Sequence, residues 1–108
     1  MVSASQRDVL VVVQRKEIYR DDLNQAEETW RDYARGYASI RYGSGVERLQ
    51  AAQVAGTQGC TIRVLATPKM LAVTIKDRIA ERGSVWNIVG VSRIGREDIE
   101  FSCLREVG

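Results

Sequence analysis

Carboxylates are the side chains in this sequence with the most obvious chemical potential, and they concentrate in one polar stretch. Acids placed this way could in principle supply oxygen ligands to a hard cation such as Ca²⁺ or Mg²⁺. The same composition is typical of a solvated acidic segment, which is the interpretation we favour. The five residues concerned are Asp21, Asp22, Glu27, Glu28 and Asp32.

Histidine is absent from the sequence. This absence removes the usual general base, the commonest metal ligand and every Ser-His or Cys-His nucleophile pair. Cys60 and Cys103 lie 43 positions apart and cannot close a tetrahedral zinc site by themselves. We expect them to be reduced, half-buried thiols, although a disulfide is open on spacing alone. The sequence therefore predicts a protein that is not an enzyme and has no cofactor or metal.

Arginine accounts for 13 of the 16 basic residues, while the net charge is only +2. Arginine is suited to bidentate pairing with carboxylates across protein interfaces or with phosphates, and either use implies a large partner. Many of these arginines could instead cover outer strand faces. The small net charge does not favour a dedicated nucleic-acid-binding protein.

The length of 108 residues fits one domain, which we take as residues 1–108. The longest fully apolar run, Val9 to Val13, has five residues, far below what a membrane-spanning helix needs. The first residues also lack the pattern of a secretory signal. We therefore expect no membrane association and a cytosolic origin.

Short β-rich segments separated by turn residues recur along the chain. Turn chemistry occurs at Arg82-Gly83 and Gly95-Arg96, and Pro68 ends one of the runs. A capping box from Ser44 to Glu47 predicts a short helix over about 45–55. We predict strands over 9–15, 37–42, 61–65, 73–76, 85–91 and 98–103.

This pattern predicts a mainly β fold: a small antiparallel β-barrel or rolled sheet of five to six strands with one short inserted α-helix. Successive side chains of a strand point to opposite faces of the sheet, so every second residue is assigned to the interior. The alternation is clearest in the last strand. The predicted core residues are Val11, Val13, Ile62, Val64, Trp86, Ile88, Ile99 and Phe101.

The segment between the first two strands has two interpretations. Its polarity predicts a long exposed loop over about 18–28. Leu23, Ala26, Trp30 and Tyr33 nevertheless recur at helical spacing, with Asp22 as a possible N-cap. Local pattern alone favours a helix there.

Four stretches carry a resemblance that spans nearly the whole chain: VVVQRKE, ETWRDYARGYASIRYGSGVE, TIRVLATPKM and DRIAERGSVWNIVGVSRIGREDIEFSCLRE. They contain a first strand ending in QR, ETW before a strand, an SGxE helix start, and a terminal strand pair with W-x-I in its first strand. Their order and spacing resemble the bacteriophage head-tail joining family of head-closure, stopper and adaptor proteins. The resemblance implies that residues 23–36 are loop followed by strand, and we let it overrule the helical period.

The resemblance implies a structural connector of a tailed phage or a gene transfer particle. Copies would form a homo-oligomeric ring around double-stranded DNA, between portal or adaptor and tail proteins, would retain packaged DNA and would dock the tail. The protein would lie at the head-tail interface of the virion after assembly in the bacterial host cytoplasm. It would need no small-molecule substrate.

Candidate site residues follow from that function. We expect the 18–28 loop and the 45–55 helix to supply subunit or ring contacts, and a few cations to face DNA. The expected interface residues are Tyr19, Arg20, Asp21, Asp22, Leu23, Arg48 and Gln50. The expected channel residues are Arg63, Lys69 and Lys76.

The alternative function is a small β-barrel module that binds single-stranded nucleic acid. Such a module needs aromatic platforms beside arginines on an exposed strand face. Tyr37, Arg41 and Tyr42 are the one cluster in the sequence that resembles this arrangement.

Overall fold

The computed structural model of the chain describes residues 7–43 and 56–106. Six antiparallel strands form one closed sheet, which confirms the predicted fold class. Within these ranges no helix is long and apolar enough to cross a bilayer. The elements are β1 Val9–Arg20, β2 Ala26–Tyr42, β3 Thr57–Leu65, α1 Pro68–Leu71, β4 Arg78–Glu81, β5 Ser84–Ile94 and β6 Asp98–Glu106.

The strand order around the sheet is β1-β2-β3-β6-β5-β4. β1 closes the ring because its first half pairs on one side with β2 and on the other with β4, where Val13 is the register partner of Ile79. A closed sheet leaves no free edge along its paired length. The second half of β1 extends beyond β4, and this extension produces the most prominent feature of the molecule.

Inward-facing side chains of all six strands fill the interior. All eight residues predicted for the core are buried, and Phe101 is fully enclosed. Cys60 and Cys103 are register partners on β3 and β6, and both lie inside the core rather than half-buried. No disulfide joins them. These thiols therefore act as small apolar packing groups.

The prediction of an exposed loop over 18–28 was wrong for most of its length. β1 continues to Arg20 and β2 begins at Ala26, so only residues 21–25 connect the two strands. Polarity misled the interpretation because exposed side chains do not prevent backbone pairing, and the ladder continues to the pair Arg20↔Ala26.

The helical spacing over 23–33 also produces no helix. These residues form the connection and the start of β2, as the family resemblance implied. Trp30 is the register partner of Lys16, so a long ladder with β1 outweighs the local period. The predicted helix over 45–55, with Arg48 and Gln50, lies outside the described residues.

The strand predicted over 73–76 is a turn instead. Asp77 Oδ2 accepts a hydrogen bond from the Thr74 backbone N–H at 2.9 Å, and the strand begins only at Arg78.

A short helix that was not predicted from the sequence precedes this turn. Thr67 caps α1 by accepting from the Met70 N–H at 3.2 Å, Pro68 begins the helix, and Met70 is buried in the core.

The turn predicted at Arg82-Gly83 joins β4 to β5. Arg82 has φ 47° and Gly83 has φ 81°, as a two-residue type I′ hairpin requires. We expect Gly83→Ala to lower the free energy of unfolding by about 1 kcal/mol, because a side chain disfavours this backbone conformation. An added Cβ would meet nothing within 4 Å, so the penalty arises from the backbone alone.

Urea unfolding of the full chain measures this effect. Gly90→Ala is the matched control, because Gly90 does not have a positive φ and its added Cβ would lie 3.5 Å from Ser102 Cβ, an ordinary contact. Equal unfolding midpoints for the two variants would contradict the proposed role of the backbone.

Candidate assembly surface

A two-stranded hairpin projects from the closed sheet and is called here the hairpin arm, residues 15–31. The β1–β4 ladder ends at Gln14↔Arg78, while β1 and β2 remain paired with each other from there to Arg20↔Ala26. At a rise of about 3.4 Å per residue, the arm extends roughly 20 Å. An isolated two-stranded hairpin is marginally stable in water, so contacts at the base of the arm have to hold it.

A β-bulge lies where the arm leaves the sheet. The register shifts between Val13 and Gln14, which pair with Ala34 and Asp32, so that Tyr33 is the extra residue. The Arg15 guanidinium carbon lies 3.8 Å from the centre of the Tyr33 ring, and Lys69 Nζ donates to the Tyr33 carbonyl at 3.1 Å. Because a bulge bends and twists its strand, these contacts set the direction of the arm.

A buried carboxylate fastens the arm to the sheet. Arg15 Nε and Nη2 donate to the two oxygens of Asp77 at 3.1 Å each, and Nη2 also donates to the Ala72 carbonyl at 3.1 Å. The Asp77 side chain is only 3% exposed, against 41% for Arg15. The hydrogen bonds to Asp77 raise the pKa of Arg15, so the guanidinium stays charged.

The tip of the arm, residues 21–25, contains three of the seven expected interface residues, Asp21, Asp22 and Leu23. Asp21 Oδ1 accepts from the backbone N–H groups of Leu23 and Gln25 at 2.9 Å each, which fixes a compact turn. Asn24 takes the left-handed conformation with φ 62°. Leu23 is 78% exposed at the apex, and Asp22 is exposed beside it. Tyr19 and Arg20 lie on the last residues of β1, directly below the tip.

Tyr19 donates a short hydrogen bond to Glu27 across the arm. This bond, together with the negative charge of the carboxylate, raises the pKa of Tyr19 above the ordinary 10.0, because ionisation would remove the donor. The folded state therefore retains the Tyr19 proton to higher pH than the unfolded chain, and the benefit of the bond is lost as the pH rises through the folded-state pKa.

Glu27→Gln is expected to lower the pKa of Tyr19 toward its ordinary value, because the carboxylate charge is removed. NMR titration of ring-labelled tyrosine measures this shift. Glu28→Gln, one residue along and on the opposite face, is the control and should leave the titration of Tyr19 unchanged. An unaltered pKa in Glu27→Gln would contradict the hydrogen bond.

The opposite face of the arm borders a depression of about 790 Å³, called here the Trp30 groove. Its walls are the arm and the turn that follows α1, and the residues used below are Lys16, Ile18, Trp30, Ile75 and Lys76. The Arg78 guanidinium carbon lies 4.2 Å from the centre of the Trp30 ring, and Arg78 Nε donates to Gln14 at 2.8 Å. Burial lowers the pKa of Arg78.

The three cations expected to face DNA lie in different places. Arg63 on β3 binds Glu100 on β6, with nitrogen to oxygen distances of 3.0 and 3.3 Å. Lys69 on α1 is bound to the Tyr33 carbonyl at the base of the arm. Lys76 is exposed at the rim of the Trp30 groove. They do not form a single cationic patch.

The cluster expected of a single-stranded nucleic-acid module also divides between two faces. Tyr37 is 61% exposed on the outer side of β2, opposite Leu10 of β1. Tyr42, five positions later on the same strand, lies on the other face, with its ring centre 6.0 Å from that of buried Trp86. The two rings therefore do not form a joint stacking platform with Arg41.

Among residues 7–43 and 56–106, no three histidine, cysteine, aspartate or glutamate side chains group to hold a metal ion. Two contacts were not predicted from the sequence: the Arg15–Asp77 bond and the packing of Arg78 on Trp30. Thr74 and Asp77 have the spacing of a local turn, but nothing local indicates that Arg15 binds there.

Similarity to known proteins extends over nearly the whole chain. The model of the phage head completion protein family matches residues 2–106. The fold is similar to the solution structure of a protein from Shigella flexneri 2a, with 26% identity and a TM-score of 0.68 over 91% of this chain and 90% of that one. A chain in the virion of a native gene transfer agent particle has 21% identity and a TM-score of 0.62, over 91% of this chain and 93% of that chain. No curated protein matches.

The two structural likenesses agree with the closed six-stranded sheet, and the family match covers almost all of the chain. The resemblance noted in the sequence is confirmed by this match. The chain belongs to the phage head completion protein family, and its role is a structural one in the phage head.

Proposed function

We propose that this protein closes the head of a tailed phage or phage-like particle as a ring between the portal or adaptor and the tail. Copies of the chain surround the DNA channel, retain the packaged DNA and dock the tail. The observation that carries this proposal is the family match over residues 2–106, together with the hairpin arm. The similar chain in a gene transfer agent virion supports the same setting.

The hairpin arm is the part of the molecule best suited to reach a neighbour. It projects roughly 20 Å from a closed sheet whose own ladder has no free edge. Exposed apolar side chains lie along it, with Ile18 63% and Leu23 78% exposed. A protrusion with an apolar apex gives each subunit a contact element outside its own core.

DNA has to slide through such a ring, so tight phosphate binding would oppose its function. Arg63 is neutralised by Glu100, and Lys69 is bound to a backbone carbonyl. Both contacts lessen the attraction for phosphates, which agrees with the net charge of +2. The third expected cation, Lys76, is considered below.

Electron microscopy of particles produced without this protein tests the proposal. We expect filled heads that lose their DNA and have no tails. Restoring the wild-type gene should restore tailed particles, whereas a chain whose residues 21–25 are replaced by Asn-Gly should fold and fail to restore them. Intact tailed particles in the absence of the protein would contradict the proposed function.

Single-stranded nucleic-acid binding is not favoured by the geometry, because Tyr37 and Tyr42 occupy opposite faces of β2. Fluorescence titration with short oligonucleotides at two salt concentrations distinguishes the functions. Tight, salt-dependent binding by the isolated chain would support this alternative over the connector role.

A further inference from the structure

We propose that the Trp30 groove of one subunit receives the arm tip, residues 21–25, of a second copy of this chain. The inference rests on the proposed ring and deepens it by naming the two surfaces that join its subunits. Three properties of the groove carry it: its exposed apolar walls, its charge and its position on the same arm as the tip.

The walls of the groove expose aliphatic side chains that a monomer would ordinarily bury. Ile18 on the arm and Ile75 on the facing turn are 63% and 64% exposed, and both line the groove. Trp30 lies between them on the arm and is half-buried. A partner must therefore supply an apolar side chain of moderate size, and Leu23 at the tip, 78% exposed, has that chemistry.

The groove is basic and the tip is acidic. Lys76 lies exposed at the rim, and Arg78 on Trp30 donates to the neutral amide of Gln14. The charge of Lys16 is partly compensated by Glu28, whose Oε2 lies 3.6 Å from Lys16 Nζ, and the charge of Asp77 is compensated by Arg15. The positive charge that remains on the lining is that of Lys76, at the rim where Asp22 of the tip would enter beside Leu23. Complementary charge of this kind sets the orientation of a docked segment.

A subunit cannot insert its own tip into its own groove. Ile18 and Asp21 are three residues apart on one paired hairpin, about 10 Å along its axis. Folding back would break the ladder that ends at Arg20↔Ala26. The occupant is thus a different copy. Because tip and groove are different surfaces, the contact is head-to-tail, the kind of contact that forms a ring when the rotation between copies closes.

The groove is poorly suited to a nucleotide base. Stacking needs a free aromatic face, and the Arg78 guanidinium lies 4.2 Å from the centre of the Trp30 ring while Lys16 Nζ lies 5.4 Å away. These cations already contact the ring on which a base would have to stack. An acidic segment with a leucine side chain fits the remaining space and charge better.

Photo-crosslinking within assembled particles tests the contact. The full chain carries benzoylphenylalanine in place of Leu23, particles are irradiated, and denaturing gels separate the products. We expect a species with twice the mass of the chain, whose crosslinked peptides join position 23 to residues 72–78. The same photoreactive group in place of Val89, exposed on β5, is the control and should give no link to 72–78.

Charge exchange provides a second test that does not depend on the crosslinker. Asp22→Lys and Lys76→Asp should each reduce the yield of tailed particles about tenfold, as expected for loss of one interfacial charge pair per contact. The double variant should recover most of that loss. Circular dichroism of each purified chain verifies that folding is unchanged, because both side chains are exposed.

The outcomes separate this inference from the function on which it rests. A ring whose position 23 links to another protein, or to another surface of this chain, would overturn the tip-in-groove contact and leave the ring intact. A double variant no better than either single one would overturn it as well. Tailed particles lacking the chain altogether would overturn the proposed function instead.

Discussion

Replacing Phe101 by alanine is expected to lower the free energy of unfolding by about 3 to 5 kcal/mol, because it opens a cavity at the centre of the closed sheet. Phe101 is fully buried on β6, where its register partners are Ile62 on β3 and Val91 on β5. The ring of strands surrounds this position, so its walls have little freedom to collapse.

Urea or thermal unfolding of the full chain measures the loss. Val91→Ala is the matched control, because Val91 is the register partner of Phe101 but is 39% exposed. We expect this control to reduce stability by less than about 1 kcal/mol. Similar losses in the two variants would show that the core is not centred on Phe101.

Asp77→Ala is expected to lower the free energy of unfolding by about 2 kcal/mol, because it leaves the donors of Arg15 and Thr74 without their buried acceptor. The effect is smaller than that for a fully buried ion pair, because the Arg15 side chain is 41% exposed. Arg15 is the first residue of the arm. In Asp77→Ala the backbone amides of the arm should therefore also exchange faster than those of the closed sheet.

Hydrogen exchange followed by mass spectrometry measures both effects at once. Glu17→Ala removes an ion pair of similar length, with Arg31 at 2.9 Å, but both side chains are exposed. That control should change stability by less than about 0.5 kcal/mol. Unchanged exchange of the arm in Asp77→Ala would mean that some other contact holds it.

The last strand could be predicted from the sequence because its alternation is uninterrupted. Ile99, Phe101 and Cys103 point inward, and intervening polar residues mark the outer face. The two turns after β4 and β5 could also be predicted, because glycine marks both of them. Gly83 and Gly95 have the positive φ that glycine adopts most easily. Local chemistry at these positions agrees with the global fold.

The hairpin arm could not be predicted from the residues alone. Its backbone is held by a ladder between strands rather than by burial, so the side chains show no inward face. The local pattern therefore favoured a helix, through the helical spacing of Leu23, Ala26, Trp30 and Tyr33. The pairing with β1 that makes this segment a strand is not visible in the local sequence. Only the family resemblance indicated a strand there.

The contacts at the base of the arm were hidden for a different reason. Arg15 and Asp77 are 62 positions apart, and Arg78 and Gln14 are 64 positions apart. Each pair depends on the closure of β1 onto β4, which no local pattern encodes. The candidate assembly surface can therefore be identified from the closed sheet of strands but not from the sequence.

We infer that this protein acts by shape, as one member of a collar around the DNA at the head opening. The sharpest test is cryo-electron microscopy of the junction between head and tail in the complete particle. We expect density for several copies of this six-stranded fold around the channel axis, with each arm against the next copy. Density that places the fold elsewhere on the capsid, or a junction complete without it, would show that the protein does not form this collar.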